Sequence, residues 1–220
     1  MFVKICGITS EEDALFATAM GADAVGFVMA PSTRQVSPQR ARDIARRLPP
    51  EILTVGVFRN ELPARVIDIV HAARLRVAQL HGQESIEQVR QVAQAVPAVI
   101  KAFSTGTPEL DRSDQYPVDA ILVDGATPGS GEIFDWRMLD GVSRGHPLLL
   151  AGGLTPENVG DAVHQVRPWG VDVSTGVERR PGVKDPLKVR AFIRAARAAA
   201  GQDEMPEPLG DRPFDRLQET

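Results

Sequence analysis

Eight short runs of β-branched and aliphatic residues recur along this chain, and a longer amphipathic stretch separates most neighbours. This alternation constrains the fold more than any other feature. The strand candidates are 2–6, 23–29, 52–58, 76–80, 98–103, 118–124, 147–151 and 170–174. Most are nearly continuous apolar runs, the pattern of strands buried on both faces of a parallel sheet. Helix candidates lie between them at 10–20, 37–48, 62–73, 84–95, 133–142, 156–166 and 185–200. Thr9-Ser10-Glu11-Glu12, Ser37-Pro38 and Thr155-Pro156-Glu157 supply cap and first-turn signals. Eight strands with helical crossovers point to an α/β protein, a single (β/α)8 TIM barrel rather than a doubly wound sheet, because eight strands close without an edge. Between strands five and six, Ser104-Thr105-Gly106-Thr107-Pro108 and Gln115-Tyr116-Pro117 leave little room for a helix. The fifth helix is therefore expected to be short or missing.

A chain of 220 residues, 43% hydrophobic, fills one such barrel. Residues 1–200 are read as the catalytic barrel. Residues 201–220 form a polar, proline-containing tail with six acidic and two basic residues, which carries the whole net charge of −4. A flexible tail that can be cut after Ala200 without loss is one reading. Docking of Phe214 and Leu217 on the barrel is the other. With no basic face, neither nucleic acid nor an anionic membrane is an expected partner. No run approaches the roughly 18 apolar residues of a membrane span. The first residues enter a strand without a signal-peptide pattern, and Cys6, the single cysteine, allows no intrachain disulfide. A cytoplasmic enzyme is expected.

Barrels of this kind place their chemistry at the C-terminal ends of the strands. The polar residues there are Cys6, Arg34, His81, Asp124 and two glycine-rich turns, Gly152-Gly153 after strand seven and Ser174-Thr175-Gly176 after strand eight. Glycines let backbone N–H groups approach an anion, and the hydroxyls add donors. Those two turns are read as a phosphate site. Cys6 fits a small buried hydrophobe or, as a thiolate, a general base. Asp124 fits a turn former with Gly125 or a strand-end acid. Arg34 is a solvated loop residue or a carboxylate clamp, for which its planar fork is suited. His81 is a loop histidine or a base.

Other chemistries lack support. The histidines are scattered and there is no cysteine cluster, so no metal is indicated. Gly129-Ser130-Gly131 lacks the spacing of a nucleophile elbow. Neither a P-loop nor a dinucleotide fingerprint follows a strand.

The ordered motifs resemble the phosphoribosylanthranilate isomerase family. They are Val3-Lys4-Ile5-Cys6-Gly7-Ile8-Thr9, Gly26-Phe27 with Ser32-Thr33-Arg34, Gln79-Leu80-His81-Gly82, Asp124 followed by Pro128-Gly129-Ser130-Gly131 and Phe134-Asp135-Trp136, Ala151-Gly152-Gly153-Leu154, and Asp172-Val173-Ser174-Thr175-Gly176-Val177-Glu178. The likeness runs from residue 2 to about residue 195. Two positions depart from the family pattern: Glu132 replaces a lysine, and Thr175 a serine. The resemblance implies a cofactor-independent aldose–ketose isomerase of tryptophan biosynthesis. Its phosphorylated substrate would be N-(5-phosphoribosyl)anthranilate, and the chain would act as monomer or homodimer. Asp124 would be the acid and Cys6 the base. Arg34, Gln79, His81 and Asp172 would contact substrate, and Gly152, Gly153, Ser174, Thr175 and Gly176 its phosphate. Two other readings stay open: a related barrel acting on another sugar phosphate, and a silent barrel that binds a phosphorylated ligand or a protein.

Strand parity adds one expectation. If Cys6 faces the barrel mouth, Lys4 faces the interior one layer down. A lysine there needs a partner. Strand eight adjoins strand one on closure, so Asp172 is the nearest candidate. Such a pair would set positive charge beneath Cys6. The alternative is another acceptor set by register, or an amine that snorkels toward the barrel end.

Overall fold

The computed structural model describes residues 1–125, 134–139, 142, 145–201, 214 and 217. Eight parallel strands close into a barrel in sequence order. They are β1 (Phe2–Ile5), β2 (Ala24–Val28), β3 (Leu53–Phe58), β4 (Val77–Leu80), β5 (Val99–Ser104), β6 (Ala120–Asp124), β7 (Leu148–Leu150) and β8 (Gly170–Val173). Closure is made by β8 on β1, with Lys4 opposite Asp172. Around the barrel pack α1 (Glu11–Ala19), α2 (Pro38–Ala45), α3 (Pro63–Ala73), α4 (Ile86–Ala93), α5 (Val159–Val166) and α6 (Pro186–Ala200). Among the described residues no helix is long and apolar enough to cross a membrane.

The helices start where their caps lie. Ser10, Ser37 and Ser85 each accept a hydrogen bond from the backbone N–H three residues on, which satisfies a donor that the first turn leaves free. Between β5 and β6 a 3-10 helix over Leu110–Gln115 replaces the α-helix, in line with the proline- and glycine-rich sequence there. Of the helix expected over 133–142, a 3-10 turn, Trp136–Leu139, is described; residues 133, 140 and 141 lie outside the described residues. An unexpected pair of short strands follows β8: β9 (Glu178–Arg180) and β10 (Val183–Lys184), antiparallel. The signal for it was Pro181-Gly182, a turn dipeptide.

Two apolar layers hold the barrel. Outward residues such as Val3, Ile5, Val25 and Phe27 pack under the helices. Inward residues such as Ala24, Val55, Val77, Ile100, Leu122 and Leu149 fill the interior. At the end where the strands begin, Phe2 stacks on Trp169 with ring centroids 4.5 Å apart. Phe214 lies 5.9 Å from Phe2 and 5.8 Å from Trp169. Phe214 and Leu217 are buried, at 4% and 8% exposure. For these two residues docking, not mobility, describes the tail. Two apolar side chains in a region otherwise rich in charge find an aromatic floor to cover. Whether the tail can be cut without loss is a matter for truncation, which this contact makes worth measuring.

Candidate active site

Cys6 directly follows β1, Arg34 lies between β2 and α2, His81 directly follows β4, and Asp124 ends β6. The two glycine turns follow β7 and β8. Parallel closure therefore gathers every expected strand-end residue at one end of the barrel.

Three of them meet at Gly7. It holds φ +74°, and a Cβ there would sit 2.7 Å from Arg34 Cδ and 2.7 Å from Ser174 Oγ. A side chain at position 7 would thus be strained and would collide with both. Cys6, Arg34 and the Ser174 turn lie within one side chain's reach of each other. Opposite them, Asp124 Oδ1 accepts from the N–H of Gly125 at 2.8 Å. Gly152, with φ +87°, lets the β7 turn come close, since a Cβ there would lie 3.0 Å from that same oxygen.

The interior ion pair exists. Lys4 Nζ donates to Asp172 Oδ1 at 2.8 Å, and Lys4 is wholly buried. Burial alone would push the ammonium's pKa down, but the charge and hydrogen bond of Asp172 outweigh it, and Lys4 stays above the ordinary lysine range. Cys6 and Lys4 both lie against Gly26, where a Cβ would be 2.8 Å from Cys6 Sγ and 3.3 Å from Lys4 Cε. The Cys6 thiol is pushed up, first by burial and also by Asp172, while Lys4 and Lys184 pull it down. Positive charge beneath the sulfur thus limits the shift without reversing it. Lys4 and Lys184 are thus the groups that favour the thiolate form of the candidate base.

Gln79 is fully buried on β4, and its amide nitrogen lies 3.0 Å from His81 Nδ1. The other ring nitrogen is Nε2. That nitrogen approaches Asp124 Oδ2 at 3.4 Å. Gln79 thus stands behind His81, and His81 beside Asp124. His81 Nε2 and Ser174 Oγ are buried and have no hydrogen-bond partner among the described residues. Buried polar atoms are rarely left so. Thr175, expected to meet phosphate, has its hydroxyl 3.3 Å from Arg34 Nη2. Glu132 and the Pro128–Gly131 segment lie outside the described residues.

Two residues escaped the sequence reading. Glu178 and Lys184, on the extra hairpin, are 7% and 2% exposed. Glu178 grips Arg34 with both oxygens: Nε to Oε1 and Nη2 to Oε2, each 2.8 Å. Lys184 Nζ donates to Glu178 Oε1 at 3.1 Å. Burial works against the Glu178 charge, but Arg34 and Lys184 overcome it and hold the carboxyl below its usual range.

Fold and site define a class of protein: a (β/α)8 barrel with Cys6, Arg34, His81, Asp124 and two glycine-rich turns gathered at the C-terminal ends of its strands. A family model described as N-(5'-phosphoribosyl)anthranilate (PRA) isomerase matches residues 3–195. The chain is 50% identical over 204 residues to the N-(5'-phosphoribosyl)anthranilate isomerase of Desulforudis audaxviator, covering 90% of this chain and 98% of that one. Among solved structures it is similar to the phosphoribosyl anthranilate isomerase of Thermus thermophilus, with TM-score 0.85 and 44% identity over 90% of this chain and 99% of that one. It is also similar to a phosphoribosyl anthranilate isomerase in complex with reduced 1-(o-carboxyphenylamino)-1-deoxyribulose 5-phosphate, with TM-score 0.81 and 43% identity over 90% and 99% of the two chains. This chain belongs to the N-(5'-phosphoribosyl)anthranilate isomerase family. It is an aldose–ketose isomerase of tryptophan biosynthesis.

Proposed function

We propose that Cys6 is the base and Asp124 the acid with which this chain performs the family's reaction. That reaction is the Amadori rearrangement of N-(5-phosphoribosyl)anthranilate to 1-(2-carboxyphenylamino)-1-deoxyribulose 5-phosphate. Asp124 gives a proton to the furanose ring oxygen as the C1–O bond breaks. The anilino nitrogen supplies its lone pair, and an iminium forms. That cation acidifies the C2 proton, which the Cys6 thiolate removes. The C2–H electrons become the C1=C2 bond as the C1=N π pair returns to nitrogen, the enol relaxes to the ketone by moving its hydroxyl proton to C1, and the proton taken by Cys6 returns through solvent to Asp124. His81 Nε2 faces the carboxylate that Asp124 becomes.

The observation that carries this reading is the meeting at Gly7 of Cys6, Arg34 and Ser174. A substrate with a phosphate at one end and a benzoate at the other needs both anchors near the base. Ser174 with the Gly152-Gly153 and Thr175-Gly176 turns takes the phosphate, and the Nη1/Nη2 edge of Arg34, beside Thr175, takes the carboxylate. Asp172 acts through Lys4, and Gln79 through His81. The chain works as a monomer or homodimer in the cytoplasm and uses no cofactor or metal.

The test is turnover of freshly prepared N-(5-phosphoribosyl)anthranilate by the purified protein, followed by loss of anthranilate fluorescence. Arg34→Ala is expected to raise KM more than it lowers kcat, and Arg34→Lys to restore only part of the loss, because lysine lacks the planar fork. Absence of turnover by the wild-type protein defeats the reading. Unchanged inhibition of Arg34→Ala by free anthranilate moves the clamp elsewhere.

A further inference from the structure

We propose that Lys184 is a positioning residue of this site, one that fixes the phosphate turn directly and the carboxylate clamp through Glu178. The proposal rests on the assignment of Ser174 and Arg34 to the two ends of the substrate.

Lys184 lies on β10, behind the mouth. Its ammonium donates to the carbonyl oxygen of Ser174 at 3.1 Å and to Glu178 Oε1 at 3.1 Å. One buried cation therefore joins two elements that each face the ligand. The hairpin that carries it is anchored independently. Lys184 N–H donates to Asp13 Oδ2 at 3.2 Å, and Thr9 Oγ1 donates to the carbonyl oxygen of Gly182 at 2.5 Å. The backbone that carries the lysine is thus tied to α1 and the β1–α1 loop as well as to the site.

Guanidinium geometry shows what Glu178 does. Its carboxylate occupies the Nε/Nη2 edge of Arg34. On the other edge of Arg34, Nη1/Nη2, Nη2 also reaches the Thr175 hydroxyl at 3.3 Å, and a carboxylate arriving there would join or displace that contact. Glu178 therefore decides which way that edge points. Gly182 N–H also reaches Glu178 Oε1, at 3.3 Å, so the carboxylate is held from several directions.

Charge shows why a lysine is needed as well. Arg34 and Glu178 alone form a neutral pair with little long-range pull on an anion. Lys184 returns the cluster to a net positive charge beside the phosphate turn. Burial pushes the Lys184 ammonium down, and Glu178 and Cys6 partly restore it. Buried ion pairs contribute little net stability compared with apolar packing. A fold that only needed filling here would be served by an aliphatic side chain.

The experiment compares wild type, Lys184→Met, Lys184→Arg and Glu178→Gln. Binding of inorganic phosphate and of anthranilate is measured by calorimetry, alongside steady-state turnover. Loss of a charge-assisted contact is expected to weaken a ligand by about tenfold or more. Lys184→Met is expected to weaken both ligands and to raise KM more than it lowers kcat. Glu178→Gln is expected to weaken anthranilate and leave phosphate within about twofold, since only the Arg34 branch passes through it. Lys184→Arg is expected to recover part of both. A third readout is the pH at which iodoacetamide alkylates Cys6. The charged groups around that thiol are Lys4 on its own strand, Asp172 on β8, Lys184 on β10 and Arg34 from the β2–α2 loop. Removing Lys184 should move alkylation to higher pH. Folded Lys184→Met with wild-type phosphate and anthranilate binding overturns the proposal. Should Lys184→Met fail to fold, unchanged anthranilate binding by Glu178→Gln overturns it. Wild-type protein that binds both probes but turns nothing over would sink the assigned reaction and leave the positioning role standing.

Discussion

The two ends of this barrel are built from opposite chemistry on the same strands. Along β1 the inward side chains run Phe2 at the base, Lys4 in the middle layer and, just past the strand, Cys6 at the mouth. Phe2, Trp169, Phe214 and Leu217 close the base with rings and methyls. At the mouth, buried carboxylates and cations are matched by direct contact: Arg34 with Glu178, and Lys184 with Glu178. The Lys4–Asp172 pair sits between the two regimes. A closed, dry end can be held by burial alone. An end proposed to admit a phosphate and a carboxylate needs fixed charge, and fixed charge in low dielectric must be paired to be tolerated. Stability and catalysis are thus separated along the barrel axis, which makes the division testable.

The largest effect is expected at the mouth. Cys6→Ala and Asp124→Asn should each lower turnover by a factor on the order of 10²–10⁴, with a melting temperature close to wild type. Near-normal turnover in either variant breaks the assignment of chemistry to this end. Next comes the middle layer. Lys4→Met leaves Asp172 buried and alone, which costs about 3–5 kcal/mol, visible in urea unfolding. Because the folded-state pKa of Lys4 is raised, the pair's stabilisation is complete below the ordinary lysine value of 10.5 and fades only above it. The wild-type to Lys4→Met difference should therefore be flat across neutral pH and shrink in strong alkali. The same variant should shift Cys6 alkylation to higher pH. No shift would show that Lys4 serves the fold alone.

At the base the expected pattern inverts. Phe214→Ala should cost about 1.5–3 kcal/mol, the worth of burying one such ring, while KM and kcat stay within about twofold. Truncation after Ala200 should cost at least as much. Full stability after truncation would show the tail to be dispensable, and a loss of turnover at unchanged stability would join the two ends. The smallest effect is expected on the outer surface. The exposed Glu87–Arg90 pair on α4 should contribute about 0.5 kcal/mol or less, and its removal calibrates the larger losses.

Strands and helices were legible in the sequence because their signals are local. The strand boundaries read from apolar runs fall within two residues of those observed, and so does the break after β5. The Lys4–Asp172 pair was legible because two simple rules suffice: alternate residues share a face, and strand eight meets strand one on closure. Glu178 and Lys184 were not. Each is a charged residue in a polar stretch, which ordinarily reads as solvated surface. Their roles depend on a partner, Arg34, that is 144 residues from Glu178. Phe214 and Leu217 gave an apolar hint without a destination.

Periodicity, caps and turn glycines follow from short-range sterics and from the need to bury apolar faces, so the amino-acid order alone fixes the eightfold repeat, the end of the barrel that carries chemistry, and the layer of Lys4. Which charges become buried, and against whom, depends on how loops from distant strands pack around Gly7 and on the floor made by Phe2 and Trp169. Desolvation and Coulomb attraction act through space, and only the closed barrel sets those distances.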